Sequence, residues 1–466
     1  MTSKQPITIA NRLIGKILIM NKVLFFVLLS LFTQDLLHSQ TTGSRSFLFR
    51  TQAEIDNFQF DYPDVTFLSG DVNITGNDIN NLNGLSVVIG IGGYLWIDNN
   101  DSMTSLTGLN NITSIRGSLH LAGLDGLVNL EGLNGLTFIG DMFEVAFNDG
   151  LLNLVGIDNL SYLGGDIYIH SNASLYDFDG FNNITEARGD ITIIYNQELN
   201  NLAGFDNIKT IVGALNVYEN NSLTDMNGFE GLESIDGRLF ISNNHDLSNF
   251  AGLDSLISAN EVMIVSNASL THLIGLNSLT TIGSILQIEE NDRLKEITPL
   301  AGITSLNGSI IVYGNDSLTS LVGMENIASE TISNLWFENN PMLSVCEVKS
   351  ICEFLGIPVS VATIHNNGQD CNTREEIEAA CLLNTSTTDL NNELNIYPNP
   401  AQNEIHISSV NGTIIQKVNI YNQMGQMVLS IDDVIEVLDI SGLGTGMYLV
   451  ELVSDQTKIR TKLLVE

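Results

Sequence analysis

Apolar residues recur through most of the chain at fixed distances from an asparagine. From Asn196 they are Leu199, Leu202, Phe205, Ile208, Ile211, Leu215 and Val217; from Asn220 they are Leu223, Met226, Phe229, Leu232, Ile235, Leu239 and Ile241. The marker asparagines are Asn77, Asn100, Asn148, Asn172, Asn196, Asn220, Asn244, Asn267, Asn291, Asn315 and Asn340, with Leu124 the one interruption, so the repeat is about 24 residues. Within it, Gly213-Ala-Leu-Asn-Val-Tyr218 alternates with period two. That predicts a half-buried strand with Leu215 and Val217 inward and Ala214, Asn216 and Tyr218 outward. The remaining apolar positions come every three residues, but a mid-repeat glycine (Gly204, Gly228) among Asn, Asp and Ser argues against a helix there.

No single repeat can bury its own apolar set. Stacked coils can, with parallel strands about 4.8 Å apart, so residues 61–345 are predicted to form an all-β solenoid of about twelve coils that needs a cap at each end. The asparagines are assigned a structural role at the corner of each coil. Their amides would bond backbone groups at the bend and the asparagine of the next coil. At the N-terminal end, residues 40–60 form the cap, with Thr51 as helix N-cap and Glu54 three residues on. At the other end all four cysteines, Cys346, Cys352, Cys371 and Cys381, fall within 346–381. They predict two disulfides closing the solenoid, and three pairings are compatible with the sequence.

The string Leu215-x-Val217-x-x-Asn220-x-x-Leu223 resembles a leucine-rich repeat, but with two residues rather than one between Asn and the next Leu. With the recurrent Gly-x-[Ile/Leu]-x-[Ile/Val], it more closely resembles the receptor L-domain branch, which implies a right-handed single-stranded β-helix. Most such proteins are binding scaffolds, so the resemblance implies recognition rather than catalysis.

Residues 1–39 read as a secretory signal peptide, since the apolar stretch 23–32 is half of what a membrane span needs and follows Lys16 and Lys22; Met20 offers an alternative start. Residues 382–394, containing Asn384-Thr-Ser-Thr-Thr-Asp389, read as a linker. The last segment, 395–466, has short alternating runs that predict a small β-sandwich. Its opening, Leu394-Asn-Ile-Tyr-Pro-Asn-Pro400, and its later Gly446-Met447-Tyr448 resemble the C-terminal sorting domain of type IX secretion cargo in Bacteroidetes. The resemblance implies the type IX machinery as a partner, then release or attachment to the outer cell surface.

Charge narrows the ligand classes. The chain has 18 Lys and Arg against 54 Asp and Glu, a formal charge of −36, and only 15% charged residues. Phosphate contacts need clustered cations, so nucleic acid is excluded as a partner. No later segment is long and apolar enough to span a bilayer, and no motif calls for a metal or another cofactor.

Stacking turns outward positions into columns. The middle one reads Asn73, Trp96, His120, Glu144, Tyr168, Thr192, Asn216, Phe240, Met263, Gln287, Ile311 and Trp336, and holds both tryptophans of the chain. Beside it run His170, Tyr218, Glu289, Tyr313 and Glu338, among others. Aromatic side chains give large contact area at low entropy cost. Trp96, His120, Tyr168, Tyr218, Phe240, Tyr313 and Trp336 are therefore the candidate binding residues for a protein or glycan, on a non-enzymatic scaffold. The competing reading is a carbohydrate-active β-helix enzyme using His120, Glu144, Tyr168 and His170. It lacks a nearby cation, with Arg116 and Arg188 off this sheet. A structural adhesin without a discrete ligand is the third.

Overall fold

The computed structural model describes residues 40–41, 45–383, 394–409, 415–422, 425–432, 437–454 and 458–465. The signal-peptide region 1–39 and most of the linker, 384–393, lie outside them. The chain falls into two compact units, one ending at Ile184 and the other beginning at Thr185.

Both units are built of parallel coils. In the first, the strands Phe47–Phe49, Val72–Thr75, Leu95–Asp98, Leu119–Ala122, Phe143–Ala146 and Ile167–His170 pair in sequence order. In the second, the strands run Ile191–Ile194, Leu215–Tyr218, Ser234–Ser242, Ser258–Val265, Thr281–Glu289, Gly308–Tyr313, Ile332–Glu338 and Val361–His365. In the first unit a second, shorter parallel sheet includes Val65–Leu68, Gly90–Ile91, Ser114–Ile115, Phe138–Ile139 and Tyr162–Leu163. In Ser234–Ser242, Ser258–Val265 and Thr281–Glu289 the short strand merges into the long one, with a register shift between Ile235 and Arg238 in the first of them, whereas Ser305–Leu306 is again separate from Gly308–Tyr313.

Alternation sets the faces. Leu215, Val217, Leu239 and Ile241 are fully buried, and the three-residue spacing places Leu199, Leu202, Phe205 and Ile208 in the same interior. Phe205 and Phe229 stack there with centroids 5.1 Å apart. The mid-repeat glycines are required twice over. Gly228 has φ +117°, and a Cβ on it would lie 2.0 Å from the carbonyl oxygen of Leu202 in the preceding coil.

The corners are closed by buried amides. Asn220 Nδ2 donates to the carbonyls of Ile193 (3.0 Å) and Tyr218 (3.1 Å), while its Oδ1 accepts the backbone N–H of Asn196 (3.1 Å). The N–H of Asn220 passes in turn to Asn244 Oδ1 (3.1 Å). The same pattern runs on through Asn267, Asn291, Asn315 and Asn340, and in the first unit it links Asn148 to Asn172. Asn77 does not belong to it. That residue is exposed, and Gly76 occupies the corner, donating its N–H to Asn100 Oδ1 (2.9 Å). At the far end the series gains Asn367, whose Oδ1 accepts from Asn340 N–H (3.1 Å) and Nδ2 (2.9 Å).

Both ends are covered. Thr51 and Glu54 form a reciprocal capping box on the helix Gln52–Asp56, and Ile55 and Phe58 close over Phe47 and Phe49. At the other end the disulfides are Cys346–Cys371 and Cys352–Cys381, with Cα separations of 5.8 and 5.6 Å. Cys352–Cys381 joins the helices Lys349–Leu355 and Arg374–Leu383, which flank the last coil strand, Val361–His365, in sequence, and Cys346–Cys371 joins the segments just ahead of the two helices. The C-terminal segment forms two antiparallel sheets, Leu394–Tyr397 with Glu404–Ser409 and Val437–Asp439, and Met427–Asp432 with Ile415–Tyr421, Gly446–Ser454 and Lys458–Val465. Ile405, Val418, Ile420, Leu438, Val450 and Leu463 share its buried core.

Replacing Asn220 by Ala strands a buried N–H and two carbonyls, an expected cost of about 1–3 kcal/mol. Asn77→Ala should stay within about 0.5 kcal/mol, and Ile241→Ala should cost about 2–5 kcal/mol. Urea unfolding measures all three. Equal effects at Asn77 and Asn220 would remove the amide series from this account.

Candidate functional site

Because the strands pair in register, the outward column is a physical row. Asn73 faces Trp96, Trp96 faces His120, and Glu144 faces both His120 and Tyr168 across successive strand pairs. In the second unit Thr192, Asn216, Phe240, Met263, Gln287, Ile311 and Trp336 stand opposite one another in turn, and the row continues to Thr363 on the cap strand. Trp96 and Trp336 are 38% and 45% exposed, so these rings face solvent.

Three groupings result. In the first unit, Trp96 stacks on His120 at 4.5 Å and Tyr168 lies 4.4 Å from His170. Glu144 sits between the two imidazoles, its Oε2 2.6 Å from His120 Nδ1 and its Oε1 3.3 Å from His170 Nε2. In the second unit, Tyr218 and Phe240 lie 5.8 Å apart, and the Arg238 guanidinium stands over the Phe240 ring at 5.3 Å. Arg238 Nε also donates to Asn216 Oδ1 (2.8 Å), which leaves the outward Asn216 buried rather than displayed. The third grouping is a cleft of about 450 Å³ walled by Gln287, Glu289, Ile311, Tyr313, Trp336 and Glu338. Alternation pointed to the rings; it gave no sign that Arg238 reaches over from a neighbouring strand, or that Gln287, Glu289 and Glu338 complete a cleft.

The His120, Glu144 and His170 contacts hold the Glu144 carboxyl below the usual carboxylate range, chiefly through the His120 hydrogen bond and against the opposing effect of burial. The trio has imidazole and carboxylate groups for proton transfer. Arg116 is spent over the Phe67 ring (5.3 Å) and Arg188 on Glu186 (2.9 Å), so neither stands beside it. Among the described residues no group of three His, Cys, Asp or Glu side chains is arranged to hold a metal ion. None of the described helices is long and apolar enough to cross a membrane.

A lowered folded-state pKa means that Glu144 stabilises the fold above the usual carboxylate range, and that this contribution disappears as pH falls through the lowered value. The melting temperature of Glu144→Gln should therefore lie below that of the wild type at about pH 6, with the gap narrowing as the pH falls below the usual carboxylate range. A gap that is constant over this range would show that Glu144 titrates alike in both states.

Residues 395–466 match the family model described as the secretion system C-terminal sorting domain. No curated protein matches the chain. The chain thus carries a type IX secretion sorting domain behind a β-solenoid, and the protein is secreted or attached to the outer cell surface.

Proposed function

We propose that the protein is a non-catalytic recognition scaffold, delivered by the type IX machinery through residues 395–466, that binds a protein or glycan ligand through the outward face of its parallel sheet. The observation that supports this best is the placement of both tryptophans in the outward rows, where their rings face solvent while Ile97 and Phe337, the next residues along the same strands, are fully buried. Folding does not need an indole on the wet face. A binding partner does, because a large rigid ring gains contact area with little entropy loss. The receptor L-domain resemblance agrees with this reading.

One observation favours a second reading. His120, Glu144 and His170 are bonded together beside Trp96 and Tyr168, an arrangement from which a carbohydrate-active enzyme would draw an acid and a base. Polysaccharide turnover by the purified protein that disappears in His120→Ala would replace the scaffold reading with this one.

A glycan and protein array probed with the mature chain tests recognition directly. Trp336→Ala should cost under about 1 kcal/mol of stability, yet lose about 2 kcal/mol or more of binding where it is a hot spot. Phe240→Ala carries a larger stability cost, since its ring is packed against Tyr218 and Arg238. Unfolding by Trp336→Ala comparable to that of Ile241→Ala would refute the surface role. Deleting residues 395–466 should leave folded protein in the periplasm; truncated protein reaching the medium or cell surface in undiminished amount would overturn the export route.

A further inference from the structure

We infer that the cleft between Tyr313 and Trp336 receives an arginine side chain of a partner protein, an assignment that rests on the recognition-face reading and gives it a ligand chemistry. The cleft is lined by the apolar Ile311 and by the Tyr313 and Trp336 rings. Glu289 and Glu338 stand opposite Tyr313 on its two neighbouring strands, which puts their Cα atoms about 10 Å apart. No Lys or Arg lines the cleft. The group nearest to neutralising it is His365, whose Nδ1 is 3.7 Å from Glu338 Oε1, an oxygen that also accepts from Asn339 Nδ2 (3.4 Å).

Donors and acceptors decide the ligand class. Trp336 Nε1 donates to Glu338 Oε2 (2.7 Å), and Gln287 Nε2 donates to Glu289 Oε2. These two side chains have turned donors onto the carboxylates, so apart from the Tyr313 hydroxyl the cleft offers mainly acceptor oxygens and ring faces. A sugar brings hydroxyls that both donate and accept, and its acceptors would find few partners. A cation brings donors only. Ring faces attract it through their quadrupole, and half-buried carboxylates attract it through charge. Guanidinium fits better than ammonium, because a plane can lie on Tyr313 or Trp336 while its edge forks onto one carboxylate. The cleft is open along the sheet, with Met263 beyond Gln287 and Thr363 beyond Trp336 in the same row, so the chain flanking the arginine has a surface to follow. That continuity, with the formal charge of −36, favours a basic protein over a free small amine.

The test is an NMR titration of the full mature chain at about 150 mM salt, where diffuse attraction is screened. The probes are a blocked Gly-Gly-Arg-Gly-Gly peptide, the same peptide with neutral citrulline in place of arginine, and a neutral hexose oligosaccharide. The arginine peptide should bind about tenfold or more tightly than the citrulline peptide, lose at least about tenfold in Trp336→Ala, and lose several-fold in each of Glu289→Gln and Glu338→Gln. Melting temperatures confirm that each variant remains folded. Equal binding of the two peptides, or arginine binding indifferent to Trp336→Ala, would overturn the proposal. Oligosaccharide binding that needs Trp336, without arginine binding, would overturn the cation assignment and leave the recognition face standing. If binding of neither the peptides nor any array ligand depended on the outward rings, both would fail.

Discussion

The solenoid depends on how a chain turns a buried corner. A bend exposes backbone N–H and carbonyl groups that a strand would pair, and inside a protein each unpaired group costs on the order of 1–3 kcal/mol. Here one amide answers for several of them. Asn244 supplies donors to Val217 and an acceptor to Asn220, and both residues are fully buried. Once those corners are closed, apolar side chains at three-residue spacing can fill the interior without competing for polar partners. The residues just before the asparagines then take φ values of about +50 to +60°, as Glu219 and Asn243 do, and each coil is returned to the same starting direction.

With the interior and corners assigned to folding, the outward rows are where side chains are least constrained by it. Their arrangement is uneven. One stretch carries a carboxylate clamped by two histidines, another a tyrosine beside a phenylalanine that lies under an arginine, and a third an acidic aromatic cleft. Parallel in-register stacking makes such rows possible from residues 24 apart in sequence, which is why local chemistry on this surface has no local sequence motif.

The same stacking explains what could be read in advance. Where coils have equal length, aligning the repeats is equivalent to aligning the strands, so the outward rows, Asn73 to Tyr168 in one unit and Thr192 to Trp336 in the other, and the buried set around Leu215 and Val217 follow from spacing alone. Departures occur where length changes or asparagine is simply abundant. Asn77 lies one residue off the corner held by Gly76, and Asn367 follows Asn340 by 27 residues because a capping helix intervenes. Cysteine spacing carried no pairing information; the packing of the two cap helices supplied it. The His120–Glu144–His170 contacts and the Arg238 reach to Asn216 depend on rotamers, which periodicity does not encode.

The amide series also has a direction. Each Oδ1 serves the coil before its own, so a coil's corner is complete only when the next coil is in place. The first corner receives without giving, and glycine suffices at position 76. The last must give without receiving from another coil, and Asn367 accordingly takes its own N–H partner from Asn372, five residues further on beside a disulfide. Within the second unit, where the series runs unbroken from Asn196 to Asn367, a chain emerging N-terminus first would therefore hold one unfinished corner at its growing end, and the cap is the element that closes the last one.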